Sequence, residues 1–504
     1  MLFSFLDDGC KLIIVKYNKY FQNMIEINLI NYKRYSGKYI IFESKEKVKE
    51  YEYHFSQDYL VYEGEYLKGS RNGKGKEYDL HGDIIFEGEY LNGKRNGKGK
   101  EYEDNFLVFE GEYLNGGKWN GKGYDENNNI IYELVNGNGK VKEYSDHGLL
   151  EYDGEYINGK KNGIGKEYNI YNGELEYEGE FLNGERNGKG KEYYDNGKRK
   201  FEGEFLKGKK WNGKGYNSNN ETIYELKNGK GYIKEYDEDI LRFEGEYKNG
   251  QKNGKGKEYN YEGILEYEGE YLNNCKNGIG KEYYNNGDIK FEGEYLNNWK
   301  IKGKLYINKI LEYEGEYLYD RKWNGKGYDE NHNIIYELIN GNGKVKEYND
   351  NGKLNYEGEY LYGQENGIGK GYDYFGKLKY DGEYFNGDKN GLGKKYDNEG
   401  NIIFEGEFLN GEKWNGKGYY KNHVIYELIN GKGIVKEYNN FSGNLEFEGE
   451  YLNGKRNGKG KEYDYNGRMI FEGEYLNGKR HGKGKEYKDG TLVFEGEYYH
   501  GEKK

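Results

Sequence analysis

Two carboxylates separated by one glycine, as in Glu87-Gly88-Glu89, are the raw material of general acid and base catalysis. A loop such as Asn96-Gly97-Lys98-Gly99-Lys100 invites comparison with phosphate-binding turns. Both comparisons fail on spacing and number. Glu-Gly-Glu returns along almost the whole chain, whereas an active site is singular and concave, so these acids are expected to pair with lysines on a solvated face. A phosphate loop needs four residues between its glycines and a following Lys-Ser/Thr at the start of a helix. Gly93 and Gly97 enclose three, and nothing after Lys98 reads as helical. The seven histidines show no ligand spacing, and Cys10 and Cys275 have no nearby histidine to activate them. No catalytic, cofactor-binding or metal-binding residue is expected, and the chain reads as non-enzymatic.

Basic residues carry the remaining binding content. Arg71, Lys94-Arg95, Arg186, Lys455-Arg456 and Lys479-Arg480 fall where hairpin tips are expected. Aligned on one edge, they would meet a protein partner or an anionic phospholipid surface, at about 1 kcal/mol per near-surface basic residue. Glu185, Gln364-Glu365 and Asp388-Lys389 interrupt the row, and the plainer reading is solubility.

The elements that position these residues follow from period two. Ile84, Phe86, Gly88 and Tyr90 alternate with Ile85, Glu87, Glu89 and Leu91, which predicts a strand with one aromatic face and one acidic face. Asn92-Gly93-Lys94-Arg95-Asn96-Gly97 reads as a turn, and Lys98-Gly99-Lys100-Glu101-Tyr102 as the return strand. Lys98 and Lys100 are expected across from Glu87 and Glu89, in rows of alternating sign. The strand glycines, Gly64, Gly88, Gly111, Gly154, Gly179 and Gly203 among them, would be slots covered by neighbouring rings.

The unit repeats. Clear copies begin at 62, 86, 109, 152, 177, 201, 243, 267, 291, 313, 356, 380, 404, 447, 471 and 494. Four worn copies at Tyr132, Tyr224, Tyr336 and Tyr426 read Tyr-Glu-Leu without the signature glycine, and another runs from Tyr35 to Tyr51. The pattern of Tyr177-Glu-Gly-Glu-Phe-Leu-Asn-Gly-Glu-Arg-Asn-Gly-Lys-Gly-Lys-Glu-Tyr193 resembles the MORN repeat (membrane occupation and recognition nexus). It departs from that family where Tyr90 or Phe205 stands in place of the usual Trp, and the stretches between repeats resemble a variant common in bacterial proteins. The resemblance implies an all-β fold: an elongated, single-layer antiparallel sheet of about 21 hairpins over 35–504, twisted into a superhelix. It implies no single function.

A longer period overlies the short one. Trp119, Trp211, Trp323 and Trp414 each stand in a Trp-Asn-Gly-Lys-Gly-Tyr loop ahead of a worn copy. Blocks are therefore expected at about 62–151, 152–242, 243–355 (with a fifth repeat), 356–446 and, in part, 447–504. The worn copies either change sheet curvature or are inherited decay. Residues 1–34 lie outside the pattern and are expected to form a short helical cap over the first sheet edge. Their apolar run weakly resembles the latter part of an F-box motif, which would imply a ubiquitin-ligase adaptor.

Composition narrows the function classes. Mean hydropathy is -1.21, yet 62 Tyr and 21 Phe argue against disorder, and a thin sheet covered by rings reconciles the two. Pro and Ala are absent while 82 Gly persist, which disfavours long helices. A net charge of -12 excludes nonspecific nucleic-acid binding. Two distant cysteines and no long apolar run point to an intracellular, cytoplasmic protein, neither secreted nor membrane-spanning, with peripheral membrane contact as the one exception. The expectation is an elongated scaffold that binds protein partners or its own kind edge to edge. Binding to anionic phospholipid is the alternative, and no cofactor is expected.

Overall fold

The computed structural model describes residues 38–503, apart from 45, 55–56, 146–147, 238, 440–441 and 500. The expected helical cap and F-box-like segment over 1–34 lie outside the described residues. Everything described is β-structure: consecutive antiparallel hairpins in open sheets, each strand pairing with its sequence neighbours. No described helix is long and apolar enough to cross a membrane.

Two compact units divide between Gln251 and Lys252. The first contains sheets over 38–134 and 139–226 and the paired strands Gly231–Asp237 and Ile240–Lys248. The second contains the strands up to 338 and sheets over 343–428 and 433–503.

One hairpin shows why the sequence folds this way. Strands Ile84–Leu91 and Lys94–Glu103 are joined through Asn92 and Gly93, both with positive φ (50° and 82°). That is the mirror-image turn whose twist matches the strands it joins, and Asn-Gly is the pair that enters it at least cost. Gly97 is left-handed as well, at φ 99°. It accompanies a bulge that shifts the register between Gly88 and Tyr90, so Gly88 faces Gly99 while Tyr90 faces Arg95.

The register runs glycine against glycine: Gly75 opposite Gly88, Gly88 opposite Gly99, Gly99 opposite Gly111. On one side of this spine lie the rings. Phe86 is fully buried, and its ring folds over Gly88 and Gly99, within 2.7 Å of where a Cβ on either glycine would stand. The cover is thus a ring of the same strand, with Tyr113 of the next repeat closing in over Gly99. Phe86 meets Tyr90 edge-on at 5.5 Å and Tyr113 at 5.1 Å, and the same zipper links Tyr177 to Phe181 and Phe205. Edge-to-face contacts of this kind add about 0.5–1.5 kcal/mol each beyond burial.

The worn copies end the sheets. At Tyr132-Glu133-Leu134 the glycine slot is filled by Leu134, and the next strand carries Val141 where a glycine would lie; both are buried. The Tyr132 ring therefore lies over Gly123 of the preceding hairpin and stacks on Phe109, 6.3 Å apart and 20° from parallel. Sheet pairing is interrupted there except for the bridge Val135–Asn138, and the amide of Gly137 donates to the carbonyl of Trp119 at 2.6 Å. Tyr224, Tyr336 and Tyr426 repeat the arrangement against Phe201, Tyr313 and Phe404. The Trp-Asn-Gly-Lys-Gly-Tyr stretches, expected as loops, are strands, and their Trp carbonyls anchor the sheet ends.

Candidate binding surface

The two faces of the hairpins hold charge in different ways. On the aromatic face, the bulge delivers a cation onto a ring in most regular repeats, Glu365 being an exception. The Arg71 guanidinium lies 4.3 Å from the Tyr62 centroid and that of Arg95 lies 4.1 Å from Phe86. Each is held between two carboxylates. Arg71 donates to Glu50 at 2.8 Å and to Glu77 at 2.7 Å; Arg95 donates to the same Glu77 and to Glu101 at 2.8 Å; Lys118 closes the row on Glu101 at 2.7 Å. Arg186 bridges Glu167 and Glu192. Arg456 bridges Glu437 and Glu462, and Arg480 bridges Glu462 and Glu486.

Burial alone would raise the Glu50 carboxyl; hydrogen bonds from Arg71 and Tyr66 outweigh it and hold the group below the usual range. Burial would likewise depress Lys118, but Glu101 beside it pushes its ammonium above the ordinary value.

The five arginines expected at hairpin tips are therefore half-buried rungs of an internal charge ladder, one residue inside the return strand. The tip itself belongs to the preceding residue. Lys94 and Lys479 are exposed there, while Lys455 is half-buried and 3.7 Å from Glu412. The sequence signal for the ladder is a Glu six residues after each of these arginines, as Arg71 and Glu77.

The opposite face is the open one. Glu87 faces Lys76 and Lys100 across its two neighbours, and Lys100 reaches Glu110 at 3.2 Å, so the alternating row is formed as expected. Lys98, expected across from Glu89, pairs in register instead with Glu112 of the next hairpin, because the bulge takes Glu89 out of register; its backbone amide donates to Glu89 at 3.1 Å. Between the two rows the backbone at Gly64, Gly75, Gly88, Gly99 and Gly111 floors an open groove of about 980 Å³, walled by Glu and Lys. Gly154, Gly179 and Gly203 continue the same pattern in the next sheet, opposite Gly165, Gly190 and Gly213. Elsewhere the wall changes character: Ile164, Ile279, Ile368 and Leu392 stand where Lys98 stands here, 61%, 58%, 66% and 61% exposed.

The profile of the MORN repeat matches residues 62–79, 86–105, 152–169, 177–199, 243–263, 267–289, 356–370, 380–402, 447–467 and 471–492. No curated protein matches the chain. Among solved structures, the crystal structure of TcdB2-TccC3 is similar at 11% identity and a TM-score of 0.12, over 87% of this chain and 23% of that one. The chain thus spans about a quarter of the length of that structure. Ten matched copies, each a hairpin with a glycine spine and a ring folded over it, make this chain a MORN-repeat protein.

Proposed function

We propose that this chain is a non-enzymatic interaction scaffold whose open Glu/Lys face engages protein partners. The observation that carries the reading is the groove across residues 43–112. Its floor is bare backbone, and its walls present carboxylates and ammoniums in register. A groove of that form accepts an extended chain whose side chains meet the charged walls, because the floor amides and carbonyls are already taken up by the strand ladder. Exposed Leu91, Leu114 and Ile157, one beyond each signature, add apolar contact along the same side of the hairpins. Over residues 43–112 the aromatic face offers no such groove, because its rings are buried and its cations Arg71, Arg95 and Lys118 are paired.

Affinity capture from native cells tests this with the full chain and with Lys74→Glu and Lys98→Glu together. Both lysines are exposed on the groove wall. The expected result is a set of proteins held by the wild-type chain and lost from the variant. Equal capture by both chains would remove the groove from the function.

A further inference from the structure

In the ladder of the second unit the rung at Lys395 has the wrong sign. Tyr177 faces Glu192, Phe86 faces Glu101 and Phe447 faces Glu462, each a carboxylate that neutralises the cations on either side. At the equivalent register position, opposite Tyr380 and Phe404, stands Lys395. The flanking rungs, Lys389 over Tyr380 and Lys413 over Phe404, are cations as well. Three lysines therefore follow one another where the siblings alternate.

Lys395 and Lys413 both line a cavity of about 750 Å³, within the range of small-ligand sites. Among the described residues Lys395 has no ion-pair partner. Lys413 bonds the Tyr426 hydroxyl at 2.9 Å and has Glu437 only at 4.0 Å. The acids of the wall are largely committed. Asp397 accepts from the amides of Glu399 and Asn401 and from the Asn401 side chain, and Glu437 accepts from Arg456 and Tyr451. Glu399 and Glu446 remain on the wall. Burial, and then Lys413 beside it, lower the Lys395 pKa against the opposing pull of Glu437 and Glu412. The rest of the wall includes Tyr420, stacked on Tyr438 with centroids 3.9 Å apart.

We infer that Lys395 and Lys413 form a binding site for an oxyanion of the phosphomonoester type, which takes the place of the missing carboxylate between them. Two ammoniums and the Tyr426 hydroxyl supply the donors for the oxygens. The cavity exceeds what an inorganic ion fills, and the tyrosine pair suits a flat organic group attached to the phosphate.

The test is calorimetric titration of the full chain with inorganic phosphate and with phenyl phosphate, at ionic strength held constant with sodium chloride. Saturable binding of both is expected, with phenyl phosphate tighter than phosphate by threefold or more. Lys395→Glu restores the residue of the siblings, so the fold is kept, and is expected to weaken binding at least tenfold. Lys395→Met, which removes charge without reversing it, is expected to weaken it by a similar order. Lys459→Met, on the open face, is expected to leave it unchanged. Absence of saturable binding, wild-type binding by both Lys395 variants, or an equal loss in Lys459→Met would each overturn the site. The first two would show that the ladder tolerates a bare cation, the third that the anion merely screens surface charge.

Discussion

The ring of Tyr132 lies over Gly123, so close that a Cβ at that glycine would stand 2.0 Å from the ring edge. Tyr132 belongs to a worn repeat whose own glycine slot is filled by Leu134, and Gly123 belongs to the preceding hairpin. The ring has moved back by one strand to find a slot. Its aliphatic replacements, Leu134 and Val141, plug the place where the sheet ends.

Gly123→Ala is expected to displace Tyr132 from Phe109 and to destabilise the sheet end by about 1–3 kcal/mol, the usual cost of overpacking. Hydrogen exchange read peptide by peptide should show faster exchange over 106–144 and no change over 447–499, because repeats lean chiefly on their neighbours. A uniform change would mean that the array unfolds as one body.

Gly88→Val should cost at least as much. Its Cβ would come within 2.7 Å of the Gly99 Cα, the Lys98 carbonyl oxygen and Phe86. Two of those three are backbone and cannot rotate away, so the higher strand propensity of Val gives no rescue. Protection lost around 62–114 is the expected readout; a neutral Gly88→Val would disprove the slot.

Arg95→Gln removes one rung, but Glu77 keeps Arg71 and Glu101 keeps Lys118. The loss should therefore be about 1–2 kcal/mol, below the 3–5 kcal/mol of an isolated buried pair, and show as roughly five- to thirtyfold less protection over Ser70–Glu103. Arg456→Glu, which adds a third carboxylate between Glu437 and Glu462, should cost more. These variants weaken the fold itself, so a vesicle-binding experiment on the basic residues should use Lys94 and Lys479, whose reversal is expected to leave stability unchanged.

Glu365 occupies an arginine rung and predicts a pH effect. Burial first, then Glu347, raise its pKa from 4.5 to about 7, with Lys389 opposing and Asp388 adding. A raised carboxyl favours the folded state when protonated. Its contribution is therefore full below about pH 4.5 and lost as pH rises through 7. After allowance for solvent screening the span is about 1–2 kcal/mol. Exchange protection over Leu354–Phe385, corrected for intrinsic rates, should fall from pH 5 to pH 8 in the wild type and stay level in Glu365→Gln.

The sequence by itself determined a good deal. Period two set which residues share a face, so the buried rings and the open Glu/Lys rows were legible in Phe86, Glu87, Tyr90 and Lys100. Asn92-Gly93 marked the turn because few other pairs enter positive φ twice. The missing glycine marked the four worn copies, though not their consequence. Tertiary structure decided the rest. Arg95 reads as a tip residue until the left-handed Gly97 and its bulge bring it opposite Tyr90 and onto Phe86. Periodicity constrains the side a residue takes, while register and bulges decide its partner across the strand, and these depend on backbone chirality at single glycines. For the same reason the sequence alone does not set Lys395 apart from the other lysines. Only the register, with Tyr380 on one side and Phe404 on the other, shows that it stands where its siblings keep a carboxylate.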